Sequence, residues 1–119
     1  MVTDLSPYLM NAEKRRHEQE EAVKVRRQRA FALASQAADL LRTTFSAEKV
    51  VLFGSVAQKE LFHSRADIDL AVWGLPGNLH FIAVGQLQAL DPEISNDLIL
   101  FEEAPESLQR TILKHGINV

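Results

Sequence analysis

VVLFGSVAQKELFHSRADIDLAVWG, residues 50–74, decides the fold. Val50, Val51, Leu52 and Phe53 form an unbroken run of β-branched and other large apolar residues that stops at Gly54. Such a run predicts a strand buried on both faces. Residues 56–63, VAQKELFH, have room for one or two short helical turns. Strand character then resumes in RADIDLAVWG through Ile68, Leu70, Ala71, Val72 and Trp73. Side chains alternate across a strand, so Asp67 and Asp69 share one side while Ile68 and Leu70 share the other.

Upstream, residues 11–45 contain neither Gly nor Pro, and apolar residues recur with helical period at Val23, Ala30, Ala34, Ala37, Leu41 and Phe45, with Leu33 and Leu40 beside them. The first half, EKRRHEQEEAVKVRRQR, is charged nearly all round; only the second half, AFALASQAADLL, carries a stripe wide enough to dock on a core. The charged half reads as a solvated helix held by pairs three or four residues apart, or as a partner-binding extension. Downstream, Asn78 is placed to cap a helix whose inward face is Leu79, Ile82, Ala83, Leu87 and Leu90. A third strand is expected from about Glu93 to Phe101. Pro105 then suits the first position of a last helix, with Leu108, Ile112 and Leu113 inward, Gly116 as C-terminal cap, and a short strand over 117–119. This order predicts an α+β (mixed α/β) domain, a small mixed sheet with helices packed on it. It is expected to be one domain over 1–119, with 11–45 as helical extension and 46–119 as core.

Composition narrows the class. With 46% hydrophobic and 24% charged residues in 119, the chain matches a globular domain. Thirteen Lys and Arg against sixteen Asp and Glu give a net charge of −3, so no global positive field recruits nucleic acid. There is no cysteine, which excludes disulfides, thiolate metal sites and a cysteine nucleophile. No apolar stretch has the length of a signal peptide core or a membrane span, and a cytoplasmic protein is expected.

The chemistry gathers in the opening stretch. A buried strand ending in Gly54-Ser55 at a turn directs backbone N–H groups at one spot, and the missing side chain admits an anionic group. The Ser55 hydroxyl adds a donor, which suits a terminal phosphate. Asp67 and Asp69 repel unless a cation pairs them, and hard oxygen ligands at this spacing match Mg²⁺ bridged to substrate phosphates. Asp97, in SNDLILFE, is placed to join them as a third carboxylate. Three carboxylates with two metal ions are the parts for in-line nucleotidyl transfer.

Gly54-Ser55, Asp67-x-Asp69 twelve positions after Ser55, and Asp97 on a later strand resemble the nucleotidyltransferase superfamily related to DNA polymerase β, and within it the minimal nucleotidyltransferases (MNT). The resemblance runs from about Val50 to the C-terminus. It implies that Gly54 and Ser55 hold the nucleotide phosphates, that Asp67 and Asp69 bind Mg²⁺, and that Asp97 is the third ligand or the base. It also implies ATP as donor and a HEPN-domain toxin as partner, neutralised by adenylylation (AMPylation) of a tyrosine, with the MNT protein as antitoxin. Many members have Gly where Lys59 stands and Ser where Ala66 stands, and their loop is about a residue shorter.

Lys59 and Arg65 are the loop cations placed to meet a triphosphate. Lys59 reads more simply as a solvated lysine, and Arg65 equally well as a counter-charge to the Asp pair. His63 reads as a surface loop residue. His17, His80 and His115 have no ligand spacing. Trp73 reads as a half-buried core aromatic in preference to a base-stacking ring. Glu102 and Glu103 read as solvated or near a helix start. Two other readings stay open, an antitoxin that acts by binding alone and transfer to a small molecule with a helical partner in trans.

Overall fold

The computed structural model describes residues 6–59, 62 and 67–119. It opens with α1, Ser6–Phe45, about 60 Å long at 1.5 Å per residue. Its buried residues are Ala30, Leu33, Ala34, Ala37, Ala38, Leu41 and Phe45. No described residue before Ala30 is buried, because the earlier turns have charge on every side and no stripe to dock.

The core is a four-stranded sheet of β1 (Lys49–Phe53), β2 (Ile68–Trp73), β3 (Asn96–Leu100) and β4 (Ile117–Asn118), in the spatial order β3-β2-β1-β4. β1 is antiparallel to β2 and to β4, whereas β2 and β3 are parallel. The parallel pair needs a crossover, supplied by α2 (His80–Leu90). The helix α3 (Glu106–His115) returns the chain to β4. Both faces of the sheet are covered. Val50, Leu52, Ile68, Leu70, Val72, Leu98 and Leu100 pack with α1 and α2 residues such as Leu41, Ala83 and Leu87. Val51, Phe53 and Ala71 pack with Ile112 of α3 on the other face. The apolar run ending at Phe53 is therefore buried on two sides.

Several expected details differ. A 3₁₀ turn, Gly77–Leu79, precedes α2 and takes up Asn78, and no side chain caps that turn or α2. Only Ala83 and Leu87 of α2 are buried, with Leu79 and Val84 partly so. Ile82 and Leu90 are exposed, because contact with α1 and β3 covers a stripe one residue wide. The third strand starts at Asn96: before it, Asp91 accepts bonds from Glu93 N (3.0 Å) and Ile94 N (3.2 Å), while Arg29 pairs with Asp91 (2.6 Å) and Glu93 (3.0 Å). Those bonds make residues 91–95 a turn. In α3, Ile112 is buried and Leu108 partly so, but Leu113 points outward, and Pro105 is the N-cap of the helix.

Gly116 caps α3 as expected, with its N–H on Ile112 O at 2.8 Å, but in an extended conformation (φ −73°) that any residue adopts. Its reason is space: a Cβ there would overlap Val51 Cγ1 and the Ile112 carbonyl oxygen. Gly116→Ala is expected to destabilise the fold by about 1–3 kcal/mol through overpacking. A urea midpoint unchanged from wild type would show that α3 shifts at no cost.

Candidate active site

Register builds the site. Asp69 lies beside Asp97 in the parallel β2–β3 ladder and opposite Phe53, the last residue of β1. Ile68 and Leu70, like Leu98 and Leu100, point into the α1–α2 side of the core, so the alternation puts Asp69 and Asp97 on the face that α3 partly covers. Asp67 immediately precedes β2 and is exposed, as is Asp97; Asp69 between them is half-buried. The Asp69 carboxyl is pushed up to about 6 from 3.8, first by burial, then by the charges of Asp97 and Asp67. Two neighbouring carboxylates thus act on one.

Gly54 makes room for it. Its φ is +75°, and a Cβ there would overlap Asp69 Oδ2 and lie 3.1 Å from Asp69 Cγ. The glycine thus serves the carboxylate directly, a role beyond the admission of phosphate read from the sequence. Only the β1–β2 register exposes that role, since it sets Phe53 against Asp69. Residues 54–57 form a turn closed by Gln58 N on Gly54 O (3.1 Å), with Ser55 half-buried at its start. Arg27 of α1 secures the turn from behind, donating from Nε to Val56 O (3.1 Å) while its guanidinium sits 4.8 Å over the Phe31 ring. Nothing in a run of charged residues marks Arg27 for this task.

The other candidates are spread out. Lys59 is exposed and lines, with Phe62, Arg16, Lys24 and Arg27, a cavity of about 670 Å³ under the charged part of α1. It is not among the charges that act on Asp69. Arg65 and His63 lie outside the described residues. His80 donates from Nε2 to Leu98 O (2.8 Å) and ties α2 to β3. Trp73 stacks on Phe101 (4.2 Å) under Lys49 (4.9 Å to the ring centre) at the far end of β2 from Asp69, as a core aromatic. Glu102 accepts from Gly74 N at 2.8 Å.

Among the described residues no cation pairs with Asp67, Asp69 or Asp97. Three hard oxygen donors on one side without a counter-charge fit a divalent cation such as Mg²⁺ by chemistry. No three His, Cys, Asp or Glu side chains among the described residues are yet gathered at ligating spacing.

The raised Asp69 carboxyl has a consequence for stability in metal-free buffer. Between about pH 4 and 6 the native state holds the proton that the unfolded chain releases, so stability falls as pH rises through that window and the full cost is present above it. Asp69→Asn removes the charge at every pH. With solvent screening of a half-exposed group, the variant is expected to gain about 1–2 kcal/mol at pH 7.5 and nothing at pH 3.5. Thermal melts at the two pH values check this; an equal gain at both would mean a packing effect.

No helix among the described residues is long and apolar enough to cross a membrane. No curated protein sequence matches the chain. Among solved structures, the chain is similar to a mutant MntA toxin–antitoxin complex (TM-score 0.60, 21% identity, 71% of this chain and 70% of that one). It is also similar to a toxin–antitoxin structure with AMP-PNP (0.58, 25%, 67% and 66%). A third similar structure is a putative nucleotidyltransferase from Sulfolobus solfataricus (0.55, 16%, 82% and 85%). These likenesses agree on the fold, an α+β nucleotidyltransferase fold that here follows a long N-terminal helix. A sequence model described as "Polymerase beta, Nucleotidyltransferase" matches residues 35–119, which include the Gly54 turn and all three aspartates, and the chain therefore belongs to the polymerase β nucleotidyltransferase family.

Proposed function

We propose that this chain is a Mg²⁺-dependent adenylyltransferase that moves AMP from ATP to a tyrosine of a HEPN-domain toxin and so acts as its antitoxin. The observation that carries the reading is Asp69 set between Asp67 and Asp97 beside a glycine that clears its carboxylate. The toxin–antitoxin structure with AMP-PNP supports an adenine nucleotide and a protein partner. In this reading Asp67, Asp69 and Asp97 hold Mg²⁺, which when bound anchors the triphosphate and lowers the pKa of the attacking hydroxyl. The Gly54–Ser55 turn offers N–H and hydroxyl donors to the phosphates. The tyrosine oxygen attacks the α-phosphorus, the bond to the β-phosphate oxygen breaks, and pyrophosphate leaves. Asp97, exposed on the edge strand, accepts the hydroxyl proton.

The acceptor argument is one of enclosure. The site lies at one end of an exposed sheet edge, where a small substrate has few walls. A partner protein covers the site and presents its hydroxyl in line, which makes the transfer effectively unimolecular. Incubating the chain and its partner with Mg²⁺ and ATP is expected to add AMP in whole units to a partner tyrosine, read by intact mass and peptide mapping. Full neutralisation by a triple Asp67, Asp69 and Asp97 variant, with no mass gained, would instead make this an antitoxin that acts by binding.

A further inference from the structure

Arg27 lies just before Ala30, the first buried residue of α1, so it reaches past the docked part of the helix. From there its Nε donates to Val56 O at 3.1 Å in a part-buried bond, with the guanidinium 4.8 Å over the Phe31 ring. Val56 is held from its other side too, since its side chain is fully buried in the main core. With side chain and carbonyl both fixed, the peptide plane between Val56 and Ala57 keeps one orientation. Among the described residues every peptide bond is trans, so the Ala57 N–H points opposite to the Val56 carbonyl. That carbonyl faces α1, which covers the Ile68 and Leu70 side of the sheet. The Ala57 N–H is therefore directed away from α1, as the Asp69 and Asp97 side chains are. Among the described residues no backbone acceptor takes the Ser55, Val56 or Ala57 N–H.

We infer that Arg27 is a positioning residue for nucleotide binding: its bond to Val56 O locks the 56–57 peptide with the Ala57 N–H aimed at the phosphates. This rests on the proposed assignment of the Gly54–Ser55 turn to the triphosphate. A peptide in a turn has a competing flipped orientation. Flipped, the 56–57 peptide would set its carbonyl oxygen, the negative end of its dipole, where the N–H belongs, and would repel a phosphate oxygen. Arg27 removes that alternative before the nucleotide arrives, so binding bears no cost of ordering the turn. The same bond polarises the peptide it holds, because a carbonyl that accepts a hydrogen bond strengthens the donor at the other end of its amide. Arg27 stays behind the turn and acts through Val56, so what the role requires is a donor at the Nε position, and the positive charge is dispensable.

Two substitutions separate donor from charge. The amide nitrogen of glutamine lies as many bonds from Cα as the Nε of arginine, so Arg27→Gln keeps the donor and removes the charge. Arg27→Met has a similar length and neither. Calorimetric titration of the full chain with ATP in Mg²⁺ is expected to give a dissociation constant within about twofold of wild type for Arg27→Gln and roughly tenfold higher for Arg27→Met. The Ala57 amide resonance should shift on ATP addition in the wild type and in Arg27→Gln, and shift less in Arg27→Met. Equal affinity in the wild type and Arg27→Met overturns the inference and leaves the assignment of the turn standing. An equal loss in both variants would make Arg27 a charge that attracts the triphosphate, and overturns the positioning role. An Ala57 amide that does not move when the wild type binds ATP overturns it without recourse to any variant. A wild type that binds no ATP in Mg²⁺ removes the assignment of the turn, and this inference with it.

Discussion

Asp69→Asn is expected to reduce AMP transfer by roughly 10³-fold, about 4 kcal/mol of transition-state stabilisation. The substitution keeps shape and hydrogen-bonding capacity and removes one negative charge. It does so at the centre of the cluster, since Asp69 is the group on which both Asp67 and Asp97 act. In metal-free buffer near neutral pH, the wild type tolerates three carboxylates with no cation among the described residues, and the variant relieves that repulsion. The same substitution should therefore raise stability and remove activity. That opposition separates chemistry from folding, because a variant that melts later than wild type cannot be inactive by being unfolded. Asp67→Asn should show the same loss with a smaller stability gain, since Asp67 is exposed. Transfer rates by intact mass at fixed Mg²⁺ and ATP, with melts in EDTA, make the comparison. Mg²⁺-dependent transfer surviving in the double variant would remove these residues from the chemistry.

How much of this was legible in the sequence depends on the kind of signal. Alternation in DIDLAVW assigned Asp69 and Ile68 to opposite faces, and the strand rule transfers without knowledge of the neighbours. The face of Asp97 was also readable, because Leu98 and Leu100 are buried by the same alternation. Faces of short helices were not. Ile82, Leu90 and Leu113 are as apolar as Leu87 and Ile112, and what decides among them is the width of the groove each helix sits in, a tertiary fact. Glycines were half legible. That Gly54 ends a strand at a turn could be read locally, but its contact with Asp69 spans fifteen residues, and Gly116 is set by Val51 on a distant strand. Arg27 lay hidden for the same reason, since its bond to Val56 O crosses from one element to another inside a run of similar charges.

Gly54→Ala tests the link between turn and carboxylate. Two costs fall on one methyl group. A left-handed backbone conformation costs a non-glycine residue about 1–2 kcal/mol, and the overlap with Asp69 adds strain of comparable size. The expected sum is about 2–4 kcal/mol of stability, with transfer falling well beyond what unfolding accounts for, because the carboxylate must move to admit the methyl. Ser55→Ala, which removes one neutral hydrogen bond, should cost only about 0.5–1.5 kcal/mol in nucleotide affinity. A double-mutant cycle isolates the overlap. In an Asp69→Ala background the clash partner is gone, so Gly54→Ala should cost only its backbone share, and the difference between the two backgrounds is the coupling between turn and carboxylate. A coupling near zero would mean that Gly54 serves the bend alone and that Asp69 owes its position to the ladder with β3.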